Sequence, residues 1–316
     1  MNRTEAWPDI PFAEWRESAA ALHLFLQIVG KYRLARSPWV NHSWHATFYV
    51  TSRGLTTGQV PDDRNSVEVE FDFLSGRLRV STSGGKESVF ELGRMTVAEF
   101  HGQFISALAS VGANASFHGR PNELPEAIPF AEDTRERPYD GAAVRRFHRA
   151  LLSVSDVLQS FRTGFLGKVS PVHLFWGSFD LAVTRFSGRT APVHPGGIPN
   201  LPDAVTREAY SHEVSSAGFW AGGGPIEEPA FYSYAYPQPD GFAEAMIKPG
   251  AAYFDAAFGE FILPYAAVIG SAEPAAVLLD FLQSTYDAAA TLGKWDRQAL
   301  ECPMGLPGKP RDVLGG

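Results

Sequence analysis

From Phe12 to Val29 apolar residues recur at spacings of three and four. Trp15, Ala19, Leu22, Phe25, Leu26 and Val29 share one face, which predicts an amphipathic helix entered through Pro8 and Pro11. Further along, the period becomes two. Val67, Val69, Phe71 and Phe73 alternate with Glu68, Glu70 and Asp72, the pattern of an antiparallel strand with one wet face. Ser75-Gly76 turns the chain into a strand over Arg77–Ser81, and a third strand of the meander follows at Glu87–Leu92. The β-branched and aromatic residues of His42–Thr51 predict a strand there too. Thr96–Val111 reads as a helix closed by Gly112, with a short return strand at Ala115–His118. Residues 119–140 carry Pro121, Pro125, Pro129 and Pro138 among charged residues, the composition of a linker.

The same order then recurs. A helix over Gly141–Leu166 precedes strands at His173–Phe186, Glu208–Ser215, Ala230–Tyr236 and Glu260–Leu263, and Pro274–Leu292 forms the last helix. Short strings echo one another across the two stretches. Ser37-Pro38 precedes Val50-Thr51 at the interval by which Ser170-Pro171 precedes Val183-Thr184, and Ala107–Gly112 parallels Ala288–Gly293. The expectation is an α+β fold of two α-β-β-β-β-α repeats with antiparallel meander sheets, related by a pseudo-two-fold axis. Residues 1–118 form the first repeat and 141–302 the second, expanded one, and 303–316 form a loose Gly- and Pro-rich tail. Each half alone has a thin core, which argues for intimate packing of the two.

The expansion lies in Gly- and Pro-rich stretches of the second half: Pro192–Gly197, Gly218–Pro225 and Pro237–Gly241. Long loops without periodicity are more often binding loops than idle connections, which places the expected site in the second half. Composition narrows the classes. The chain has 316 residues, 45% apolar and 20% charged, as in globular proteins. A net charge of −8 argues against nucleic-acid and anionic-membrane surfaces. Met1–Glu5 lacks the apolar run of a signal peptide, and no apolar stretch has the ~18 residues of a membrane span, so the cytoplasm is the default compartment. The lone Cys302 excludes an intramolecular disulfide and a multi-cysteine metal site. The G-x-G-x-x-G, P-loop and G-x-S-x-G patterns are absent.

Candidate chemistry therefore rests on residue type and placement. His42 and His45 would point to opposite faces of a strand and make a poor ligand pair. Asp180, in the middle of an apolar strand beside Trp176, must be paired if buried, and Arg185 and Arg189 are near in sequence. Tyr210 and His212 share a face of their predicted strand, with Glu213 opposite. His212 is the leading acid–base candidate, because imidazole titrates near neutrality. Tyr232, Tyr234 and Tyr236 alternate on one strand face. The expected site thus assigns His212, Glu213 and Asp180 to proton handling. Trp176, Arg185, Arg189, His194, Tyr210, Trp220, Tyr232 and Tyr234 hold a small-molecule ligand, suited by its aromatic walls to a flat or cationic molecule. Two other readings stay open. One is a protein-interaction module presenting Phe219 and Trp220, and the other a metalloenzyme using His173, His194 and His212. No cofactor or metal is assigned, and the oligomeric state is unassigned.

Three strings, Pro38–His45, Phe175–Arg189 and Glu208–Val214, together with Trp7-Pro8 and the segment on to Trp220, resemble an uncharacterised bacterial family over nearly the full length. The resemblance implies a shared fold and no particular activity.

Overall fold

The computed structural model of this chain describes residues 6–311, apart from 64 and 225. Met1–Glu5, Pro225 of the Gly-rich loop and the end of the tail from 312 lie outside the described residues.

The first apolar helix, α1 (Phe12–Leu34), runs a turn beyond its predicted end and is buried on almost every side. Phe25 stacks on Phe100 of α2 (Val97–Val111), with ring centroids 4.1 Å apart, and Trp15 packs at 4.8 Å on Phe147 of α3 (Gly141–Arg162). Helix α1 therefore sits against helices from both halves. Local chemistry sets the helix ends. Thr96 and Glu99 form a capping box at the start of α2, and Gly112 closes it in the left-handed conformation. Asp140 caps α3 through the Ala142 N–H.

The first sheet is antiparallel: β1 (Tyr49–Val50), β2 (Gly54–Thr56), β4 (Asn65–Asp72), β5 (Arg77–Thr82) and β6 (Glu87–Glu91) in that order, with β3 (Val60–Asp62) also pairing β4. Val67, Val69 and Phe71 enter the core, as their alternation predicts. Asp72 departs from the pattern. It is buried, bound by Arg53, and accepts the N–H groups of Leu74 and Ser75 in the turn. A short ribbon pairs β7 (Met95–Thr96) with β8 (Glu136–Arg137).

The second sheet runs β13 (Tyr253–Asp255), β14 (Glu260–Pro264), β12 (Ala230–Tyr236), β11 (His212–Trp220), β10 (Asp180–Thr190) and β9 (His173–Phe175), again antiparallel throughout. Helices α3, α5 (Tyr265–Ile269) and α6 (Pro274–Leu292) cover one of its faces. The fold is α+β, and each half runs helix, antiparallel sheet, helix. The sheets meet edge to edge where Phe48 and Leu174 exchange backbone hydrogen bonds of 2.9 and 2.8 Å. One apolar core runs from Ile10 to Trp295 through both halves. Among the described residues no helix is long and apolar enough to cross a membrane.

Four segments differ from their predicted form. The strand expected over His42–Thr51 is confined to Tyr49–Val50, because Asn41–Ala46 coils into a 3-10 turn with His42 and Ser43 at positive φ. The strand expected over His173–Phe186 is a hairpin, β9 and β10, turned by residues 176–179. The strand expected over Glu208–Ser215 begins only at His212. Before it, helix α4 (Asp203–Ala209) ends at Tyr210, so Tyr210 and His212 are not strand neighbours. Ala115–His118 forms no strand.

Candidate functional site

The second sheet has two unlike faces. Leu181, Val183, Phe219, Phe231 and Leu263 point at the helices and join the main core. The alternate residues Asp180, Ser216, Trp220, Tyr232, Tyr234 and Glu260 point the other way, into a cavity of about 540 Å³. Most of its roof comes from elsewhere in the chain. The 3-10 turn supplies His42, Ser43 and Ala46, helix α1 supplies Lys31, the Pro-rich stretch supplies Asn122 and Glu123, and the segment from Ile198 to Tyr210 closes the side.

These parts are fastened to one another. Three polar residues, His23, Gln27 and Lys31, stand four apart along α1. Gln27 grips the Asn122 backbone with two hydrogen bonds of 2.8 Å, and Lys31 Nζ donates to Asn122 Oδ1 at 2.5 Å. His23 Nε2 lies 2.9 Å from the Gly177 carbonyl. Asn200 donates to the Leu124 carbonyl at 2.6 Å. Glu208 of α4 accepts from the Asn41 side chain at 2.8 Å and from the His42 N–H at 3.2 Å, and His42 Nδ1 lies 3.0 Å from the Ala209 carbonyl. Burial holds His42 below the ordinary histidine range, and so in its neutral form.

Three carboxyl groups face the cavity. Asp180 accepts from Ser178 Oγ on one oxygen and from Tyr232 Oη on the other. Tyr232 reaches it by crossing β11 directly over Gly218, where a Cβ would stand 2.5 Å from the phenolic oxygen. Glu123 is half-buried with its carboxyl close to Gly177, where a Cβ would approach within 1.8 Å of Oε1. Glu260 leaves its buried Oε2 without a partner. Burial raises all three pKa values, and the charge of Asp180 adds to the rise of the other two: Glu123 reaches about 7 and Glu260 about 8. Burial likewise lowers Lys31 to about 8, against the pull of Glu123.

Backbone strain gathers here. Of the seven described non-glycine residues at positive φ, His42, Ser43, Glu123 and Asn200 line the cavity, and Phe179 stands between Ser178 and Asp180. Each such residue costs on the order of 1 kcal/mol. Such strain clusters at functional sites, where the surroundings hold it in place.

Of the residues singled out from sequence, the structure brings Asp180, Trp176, Tyr210, Trp220, Tyr232 and Tyr234 together around the cavity. The Trp220 ring packs on Tyr232 at 4.8 Å in a tilted arrangement, and the Tyr210 and Tyr234 hydroxyls share a hydrogen bond of 2.8 Å. Trp176 Nε1 donates to the Ala46 carbonyl at 2.7 Å. His194 stacks on Tyr210 at 4.7 Å and is not part of the lining. Six candidates are placed away from it. Arg185 is five residues from Asp180 on the same strand and so faces the helices. Its guanidinium lies 3.5 Å from the Phe161 ring centroid and 4.2 Å from that of Tyr286, and donates to the Phe161 carbonyl. Arg189 and Glu213 pair at 2.6 Å and tie the strand end to the Gly293 carbonyl at the close of α6. His212 Nδ1 lies 3.1 Å from Ser211 Oγ, at the start of β11. Phe219 is buried on the helix face. His173 is in the core with no hydrogen bond to either nitrogen, and burial depresses it to about 3. Among the described residues no group of three or more His, Cys, Asp or Glu is arranged to hold a metal ion.

A family model matches residues 7–302. The chain belongs to a family of unknown function, DUF5996. No curated protein and no solved structure matches this DUF5996 member. Its cavity includes residues that reading the sequence did not single out: Lys31, Asn122, Glu123 and Glu260. The signal for Lys31 was present, as a polar residue recurring every four positions (His23, Gln27, Lys31) on an apolar helix. Glu123 carried none, since a carboxylate in a Pro-rich stretch reads as solvated.

Proposed function

We propose that this protein binds a small organic molecule in the cavity between its halves. The observation that carries the reading is the convergence of three carboxyl groups, with Asp180 buried and Glu260 holding a buried oxygen that meets no donor, under walls of Trp176, Trp220, Tyr232 and Tyr234. Buried polar groups are normally satisfied, and unmet acceptors at the rim of an open volume call for an occupant. The volume fits a metabolite-sized ligand. The strained residues supply independent support. Burial of Phe219 and the packing of Trp220 on Tyr232 inside the cavity favour a small ligand over a docked protein.

A catalytic use of the same groups is the second reading. Glu123 near 7 and Glu260 near 8 can give or take a proton around neutrality, as a general acid or base must.

A thermal-unfolding screen of the full chain against neutral, cationic and anionic small molecules tests the proposal. A ligand at a hundred times its Kd adds about 2.7 kcal/mol of stability, a readily measured rise in Tm. The expected outcome is a saturable rise that Trp220→Ala and Asp180→Asn diminish. A screen in which no compound stabilises the wild type, or in which stabilisation is unchanged in both variants, overturns the proposal.

A further inference from the structure

We infer that the occupant of this cavity is an organic cation, a small molecule with an alkylammonium, amidinium or guanidinium head seated among Glu123, Asp180 and Glu260. The inference rests on the cavity being a ligand site and names the class of ligand.

It follows from counting hydrogen-bond capacity. Several donors near the carboxyl groups are already engaged. Ser178 and Tyr232 donate to Asp180, the Tyr210 and Tyr234 hydroxyls bond one another, and Trp176 donates to a carbonyl. Lys31 donates to Asn122. What remains unmet beside the carboxyls is Glu260 Oε2, buried with no donor, and the Glu123 carboxyl faces the same volume. A ligand that satisfies them must bring donors of its own.

Charge points the same way. Against three carboxyl groups the lining sets one lysine and no arginine. The rings of Trp220 and Tyr232 supply part of the remaining surface, and ring faces attract cations while repelling anions. Nothing on the wall is built to hold a carboxylate or phosphate bidentately.

Proton release is the corollary. Asp180 and Asp255 face Glu260, while Asp180 and Lys31 face Glu123; Tyr210, Tyr232 and Tyr234 are held in their neutral forms by burial, and His42 and His118 stand further round the wall. A cation entering this group favours ionised carboxyls, so protons leave as it binds. Raising the pH from 6 to 8.5 ionises Glu123 and Glu260 beforehand and tightens binding, while an ordinary alkylammonium stays charged.

The test is isothermal titration calorimetry on the full chain with isosteric pairs: benzamidine against benzamide, and phenethylamine against 2-phenylethanol, with benzoate as the anionic member. We expect at least one cation to bind about tenfold or more tighter than its neutral partner, and benzoate not to bind. Affinity should rise with pH, with protons released in proportion when buffers of different ionisation enthalpy are compared. Glu260→Gln and Glu123→Gln, each checked for an undiminished Tm without ligand, should each weaken the cation about tenfold or more. Equal binding of the neutral partners, or unchanged affinity in both variants, overturns the cation class and leaves the small-molecule site standing. The cation class falls in the same way if no cation binds while the broader screen yields neutral or anionic ligands. If neither experiment yields any ligand, both readings fail together.

Discussion

On the first sheet the strand face turned from the core carries Glu68 and Arg79 in the open, where Arg79 meets Glu87 at 2.8 Å and Glu68 accepts from Thr56 at 2.6 Å. On the second sheet the corresponding face carries Asp180, Tyr232, Tyr234 and Glu260, roofed by the 3-10 turn, Glu123 and the 198–210 segment. The strand chemistry differs less than the cover. A carboxylate on an open strand face keeps its water, whereas under a roof it loses that water and its pKa climbs. What separates an inert sheet face from a candidate site is therefore supplied by loops, several from the other half of the chain. That is why the expansion of the second half alone gave only part of the lining.

The comparison can be broken at several points. Phe231→Ala, on the helix face of the second sheet, should lose about 3–5 kcal/mol in urea unfolding, and Phe71→Ala on the first sheet a similar amount, since both empty a core position. Tyr234→Phe, on the cavity face, should lose less than about 1.5 kcal/mol. Equal losses at Phe231 and Tyr234 would mean that the two faces are not distinct. Gly218→Ala sets a methyl 2.5 Å from both the Tyr232 hydroxyl and the Leu181 carbonyl, and should cost about 1–3 kcal/mol while parting Tyr232 from Asp180. A cost near zero there would show that Tyr232 does not cross β11 as described.

The carboxylates give a subtler contrast. Burial lifts Glu260 to about 8, above its ordinary 4.5, so the fold favours the protonated form. Its contribution to stability is intact below pH 4.5 and is lost as pH rises through 8. Glu260→Gln should then match the wild type at pH 4 and exceed it by on the order of 2 kcal/mol at pH 9, in unliganded protein. Glu68→Gln on the open face should stay within about 0.5 kcal/mol at both pH values. Denaturant titrations at pH 4 and 9 check the pair, and a Glu260→Gln variant less stable than wild type at pH 9 would contradict the burial assigned to it.

The regular elements were readable from periodicity. Ala230–Tyr236 and Pro274–Leu292 begin and end where the pattern places them, because each is set by its own alternation or helical stripe. Half of the cavity was readable too, wherever aromatic residues alternate on a strand. The remainder depended on backbone conformations that residue type does not announce. His42, Ser43 and Phe179 adopt left-handed φ without being glycine or asparagine, and each converts a predicted strand into a turn. Arg185 was assigned to Asp180 by closeness in sequence, although five positions along a strand place two side chains on opposite faces.

The junction at Phe48 and Leu174 bears on behaviour in concentrated solution. An unpaired strand edge is a template for another chain, and here one edge of each sheet is sealed by the other. Two other edge strands are β6, whose Glu87 and Glu91 are bound to Arg79 and Arg77, and the three-residue β13. Charge blunts the first and brevity the second. Parting the halves would uncover two fresh edges at once, so the seam that shapes the cavity also guards the chain against polymerising with its copies.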